Sequence, residues 1–82
     1  MTVAQREIDR ELDTPVYEQI AAFIRDDIED GRLEPRRPVP SVRMLCEEFG
    51  VARETATQAL RLLESEGLVR VVKGKGFFVT QR

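Results

Sequence analysis

Apolar residues recur along this chain as three helix-spaced stripes followed by two short β-type runs. In TPVYEQIAAFIRDDIEDG (residues 14–31), Val16, Ile20, Phe23, Ile24 and Ile28 share one face of a helix. Thr14 is placed to cap that helix, Pro15 suits its first position, and Gly31 suits the residue just past its end. Asp26, Asp27, Glu29 and Asp30 crowd its C-terminal turns, where the helix dipole disfavours anions, and the sequence offers no reason for it. The three prolines of RLEPRRPVP exclude a helix there and predict an extended connector, with Val39 in a short strand.

SVRMLCEEFG (residues 41–50) predicts a second helix capped by Ser41 and ended by Gly50, with Val42, Leu45, Cys46 and Phe49 as its stripe. ARETATQALRLLESEG (residues 52–67) predicts a third, ending at Gly67, with Ala56, Ala59, Leu60 and Leu63 inward. About three residues join these two helices, which is helix-turn-helix spacing. Leu68 to Val72 and Phe77 to Thr80 are rich in β-formers and flank KGKG, so they read as a hairpin. The predicted fold is a small α+β domain: a winged helix-turn-helix of three helices plus a C-terminal β-hairpin wing. Residues 1–13 form a lead-in and residues 14–82 the domain, with the helix-turn-helix at about 41–67 and the wing at about 68–80.

Composition narrows the function. At 82 residues with 41% hydrophobic and 34% charged side chains, the chain has room for one small core and no apolar run long enough to span a bilayer. One cysteine and no histidine leave neither a disulfide framework nor a zinc site. Cys46 lies on an apolar stripe, where a buried, inert thiol is the expected state, and Tyr17 and the four phenylalanines read as core or near-core. No enzyme, metal or cofactor is expected, and the location expected is cytoplasmic. The net charge of −2 conceals an asymmetry. Residues 1–34 carry ten acidic and four basic side chains, a balance of −6; residues 35–82 carry five and nine, a balance of +4. Binding to phosphate depends on where charge lies, so the second part can still meet a polyanion.

KGKG is not a nucleotide-binding loop, because its glycine spacing is wrong and the chain continues as a strand rather than a helix. It reads either as a plain turn or as a cationic wing tip, with Lys73 and Lys75 supplying charge and Gly74 and Gly76 exposed backbone. On the third helix, the face opposite the apolar stripe presents Arg53, Glu54, Thr57, Gln58 and Arg61, with Thr55 at its flank. These residue types read base edges: Arg meets guanine, Gln adenine, Glu the N4 amine of cytosine, and Thr the thymine methyl or a phosphate. A merely solvated polar face is the competing reading, weakened by the helix-turn-helix setting and the basic hairpin beside it.

Pro40, Ser41, Arg43 and Leu45 in the pattern P-S-x-R-x-L, together with GVARETATQAL, LESEGL and KGKGFFV, resemble the DNA-binding domain of the GntR family of bacterial transcription regulators. The resemblance runs from Pro15 to Val79, and the Ile8-Asp9 lead-in and PSVR look most like the short-tailed members. It implies a dimeric repressor or activator on a near-palindromic operator, with the third helix in the major groove and the wing tip in the minor groove. Carried over by position, Arg43 and Arg53 match base- and phosphate-contacting arginines, Ser41 and Thr55 match hydroxyl contacts to phosphate, and Lys73, Gly74 and Lys75 match the wing. Ala52 stands where the family usually has Ser or Thr, which removes a helix cap worth about 1 kcal/mol. Thr57 stands where an arginine is common. Glu54 suits the helix dipole and opposes phosphate, so it either selects cytosine or weakens binding.

Family members usually continue into an effector-binding, dimerising domain, whereas this chain ends soon after the wing. It reads as an excised domain or as a stand-alone regulator, with no effector site of its own and only a weak homodimer, formed mainly on DNA. Val3, Ile8 and Leu12 remain as apolar anchors in the lead-in. The alternative function is a winged-helix module for protein–protein contact through the acidic first helix.

Overall fold

Five elements follow in chain order: α1 (Val16–Asp30), α2 (Val42–Phe49), α3 (Arg53–Ser65), β1 (Val69–Val72) and β2 (Gly76–Val79). The computed structural model describes residues 7–80; Val3 lies outside them. Three helices and an antiparallel hairpin are the winged helix-turn-helix arrangement that the stripes and β-runs predict.

The inward residues of α1 and α3 close on one another. Ile20, Ala21, Ala56, Ala59, Leu60 and Leu63 are fully buried, joined by Ile24, Ile28, Val39, Leu45, Val69 and Val79. Removing an Ile or Leu side chain from water stabilises the fold by about 1.5–3 kcal/mol, so these few residues dominate the stability of so small a domain. The small Ala56 and Ala59 let α3 lie close to its neighbours. Phe23, on the predicted α1 stripe, is only half-buried and stacks on Phe49 of α2, ring centroids 5.7 Å apart. Cys46 is half-buried rather than enclosed.

Helix ends follow their residues. Ser41 caps α2, its side chain accepting from the Met44 N–H at 3.1 Å. Gly50 ends α2 with φ 67°, in the left-handed region that glycine tolerates. The last turn of α3 is a Schellman motif: Gly67, at φ 80°, donates to the Glu64 carbonyl at 3.0 Å, and Leu68 donates to the Leu63 carbonyl at 3.0 Å. That closure stops α3 at Ser65, two residues before the predicted glycine, and turns Leu68 back onto the core.

Thr14 does not cap α1. Pro15 occupies the cap position, with φ −56° and ψ 149°, and has no side-chain acceptor to offer. A residue preceding proline is held extended, so the Thr14 carbonyl is free to accept from the Gln19 side chain at 3.0 Å. Gln19 is the one buried polar residue among those described, and it also exchanges two 2.9 Å hydrogen bonds with the Asp9 backbone. This fastens the lead-in to α1 and lets Ile8 pack against the core, while Leu12 stays 53% exposed. Two of the four acids at the end of α1 also find a partner. Arg32, just past the helix, meets Asp27 at 2.8 Å and Asp30 at 3.5 Å.

The connector adds a third strand-like edge to the wing. Val39 donates to the Phe77 carbonyl at 3.1 Å, Val79 donates to the Arg37 carbonyl at 2.8 Å, and Pro38 bridges Phe78. The connector thus runs beside β2 through an isolated bridge at Pro38, and Val39 joins it by a backbone hydrogen bond without forming the expected strand. The hairpin is thereby anchored beside the N-terminus of α2.

Candidate nucleic-acid interface

The wing is a tight hairpin. Val72 pairs with Gly76, so Lys73, Gly74 and Lys75 form a three-residue tip, closed by the Lys75 N–H on the Val72 carbonyl at 2.9 Å. Gly74, at φ 81°, takes the place where such a turn needs positive φ. Both lysines are exposed, with no ion pair among the described residues.

Ser41 lies beside this tip. A groove of about 610 Å³ runs between the connector, the start of α2 and the hairpin, lined in part by Pro40, Ser41, Met44, Lys75 and Phe77. The Ser41 oxygen accepts the cap bond from Met44, and its hydroxyl proton remains free to donate. Arg43, in the first turn of α2, has an 84% exposed side chain and pairs with Glu47 at 3.2 Å. A pair that open to solvent contributes little, so a phosphate can displace it. Met44 is 56% exposed, and its only mark in the sequence is that it stands off the α2 stripe.

On α3, Arg53, Glu54, Gln58 and Arg61 are exposed, whereas Thr55 and Thr57 are half-buried. Thr57 is thus less open than its position on the polar face predicts, because it flanks the buried Ala56. Ala52 supplies no cap bond, so the first-turn N–H groups of α3 are left to water or a ligand. Uncapped amides at a helix N-terminus attract anions. The arrangement thus presents two surfaces suited to a polyanion. One joins Ser41, Arg43 and the wing tip; the other is the outer face of α3 with its open N-terminus. The described residues contain no cluster of acids, cysteine or histidine able to hold a metal ion and no helix long and apolar enough to cross a membrane.

Residues 16–79 match the family described as "Bacterial regulatory proteins, gntR family". The chain is 40% identical over 74 residues to the HTH-type transcriptional repressor NagR of Bacillus subtilis, covering 90% of this chain and 30% of that one. It therefore spans under a third of that relative's length. Among solved structures, it resembles YtrA from Sulfolobus acidocaldarius, a GntR-family transcription factor, with a TM-score of 0.84 and 37% identity over 93% of this chain and 65% of that one. It also resembles the DNA-binding domain of AraR in complex with operator ORX1, with a TM-score of 0.81 and 33% identity over 88% of this chain and 90% of that one.

Proposed function

The chain belongs to the GntR family of bacterial regulatory proteins, and from that premise we propose that it binds double-stranded DNA sequence-specifically as the DNA-reading part of a transcription regulator, most simply a repressor. The observation that carries this reading is the pairing of an uncapped, cation-bearing α3 face with a glycine-hinged lysine tip, both without internal partners among the described residues. In this reading Arg53, Glu54, Thr55, Thr57 and Gln58 face the major groove. Arg43 and the Ser41 hydroxyl hold phosphates, and Lys73, Gly74 and Lys75 follow the minor groove. The likeness to an AraR domain in complex with its operator supports DNA binding.

Double-stranded DNA with a near-palindromic site is the partner, the setting is the cytoplasm, and the action is binding rather than catalysis. Residues 1–13 act as a lead-in to the DNA-binding domain of residues 14–82, and no effector pocket is assigned to this chain. In solution it is a monomer or a weak dimer at micromolar concentration, because most large apolar residues serve one core and those exposed among the described residues, Leu12, Met44 and Val71, lie on separate parts of the fold. Two half-sites would align two copies on DNA by raising their local concentration. The test is a titration of fluorescent duplex at two salt concentrations, with selection of bound sequences from a random pool. Binding that weakens steeply with salt and converges on one motif supports the reading. The absence of both would refute it.

A further inference from the structure

Glu54 is the acidic residue in the first turn of α3 and points from the face that otherwise offers Arg53, Gln58 and Arg61. By contrast, Glu47 pairs with Arg43 and Glu66 with Arg25. Glu54 has no hydrogen bond or ion pair among the described residues. Its helical neighbours explain why. The positions three and four residues on are Thr57 and Gln58, and four back is Gly50, so no cation stands at pairing distance. Ala52 offers no cap in competition, and an acidic residue in the first turn suits the N-terminal end of the helix dipole.

A free carboxylate on a DNA-facing surface is repelled by phosphate and needs a hydrogen-bond donor. In the major groove, guanine shows two acceptors and thymine an acceptor with a methyl group. Adenine sets its amine beside the acceptor N7, which a carboxylate would oppose. Cytosine alone offers an amine without an acceptor of its own beside it. We propose that Glu54 is a specificity-determining residue that accepts a hydrogen bond from the cytosine N4 amine, one position from the guanine held by Arg53. This rests on the DNA-binding reading and extends it by naming a base. Thr57 is part of the arrangement, being too short and uncharged to neutralise Glu54 within the helix.

The test runs wild type, Glu54→Ala and Glu54→Gln in parallel through selection from a random duplex pool. Anisotropy titrations then follow on four duplexes differing at the one base pair where the selected motifs diverge. Wild type should prefer cytosine there by roughly 5- to 150-fold, the range expected for one good base contact. Glu54→Ala should lose the preference, and Glu54→Gln should move it towards adenine, whose N6 and N7 suit a carboxamide. Glu54→Gln is nearly isosteric and exposed, so it serves even where the alanine variant folds poorly. Identical motifs for all three proteins, with both variants merely binding every duplex more tightly, would overturn the proposal and leave Glu54 a repulsive charge. Failure of wild type to bind duplex in a salt-dependent way would instead overturn the DNA-binding reading, and this proposal with it.

Discussion

Helices α1 and α3 are alike on their inner faces and opposite on their outer ones. Each buries an apolar stripe against the other, with Ile20 and Leu60 fully enclosed. Outside, α1 is acidic, and part of its charge is satisfied within the chain, since Arg32 draws in Asp27 and Asp30. Arg25 of α1 reaches Glu66 beyond the end of α3 through two hydrogen bonds of 3.0 and 2.9 Å. The outer face of α3 keeps Arg53, Glu54, Gln58 and Arg61 without partners among the described residues, above an N-terminus with no cap. The difference teaches that amphipathicity alone says which face is buried, not which polar face has work to do. Unpaired cations among the polar groups, which the outer face of α1 lacks because Arg25 is held by Glu66, mark α3 as the surface suited to a polyanion.

The largest expected effect tests where the two helices are alike. Ile20→Ala and Leu60→Ala should each cost about 2–5 kcal/mol in urea-unfolding experiments, and by similar amounts, because both leave a cavity in one shared core. A Leu60→Ala protein as stable as wild type would remove α3 from the core. The outer faces should then separate. Arg53→Ala should lose about 1–3 kcal/mol of specific DNA affinity in a titration while its thermal melt stays in place. Asp26→Ala and Glu29→Ala on α1 should leave that affinity nearly unchanged, because exposed charges beyond about 8 Å are screened at physiological salt. Equal effects from the two helices would abolish the distinction.

Substituting Lys73 and Lys75 with Ala sharpens the same contrast for the wing. All duplexes should bind more weakly by similar factors, and the log–log salt slope should flatten by about 0.9 for each phosphate that is no longer neutralised. A changed base preference with an unchanged slope would make the tip a base reader instead. The smallest effect concerns the two helix starts. Ala52→Ser should stabilise the fold by about 0.5–2 kcal/mol by supplying the absent cap, and Ser41→Ala should destabilise it by a similar amount, both read from thermal melts. An Ala52→Ser protein with an unmoved melting temperature would mean that the open end of α3 is already satisfied.

What the sequence makes legible is local. The stripes of α1, α2 and α3 follow helical periodicity, and Ser41, Gly50 and Gly67 mark ends by their own conformational chemistry. The hairpin follows from β-formers around glycines, and the candidate site from residue types on one helix face. Long-range pairings are not legible. Nothing in the run around Gln19 announces that Asp9, ten residues earlier, will exchange two hydrogen bonds with it. The groove at Met44 exists only because the connector pairs with β2, which brings Lys75 near Ser41. Thr14 fails as a cap for a local reason that periodicity ignores: Pro15 takes the cap position itself.

The central claim is that the unsatisfied face of α3 and the lysine tip meet DNA while the acidic face of α1 stays in solvent. A backbone amide NMR map of the chain, titrated with selected duplex at low salt, tests it most directly. The account predicts the largest shifts at Ser41, Arg43, residues 53–58 and residues 73–75, with the outer amides of α1 around Asp26 and Glu29 little changed. Shifts centred on the outer face of α1, with α3 and the wing tip silent, would contradict it.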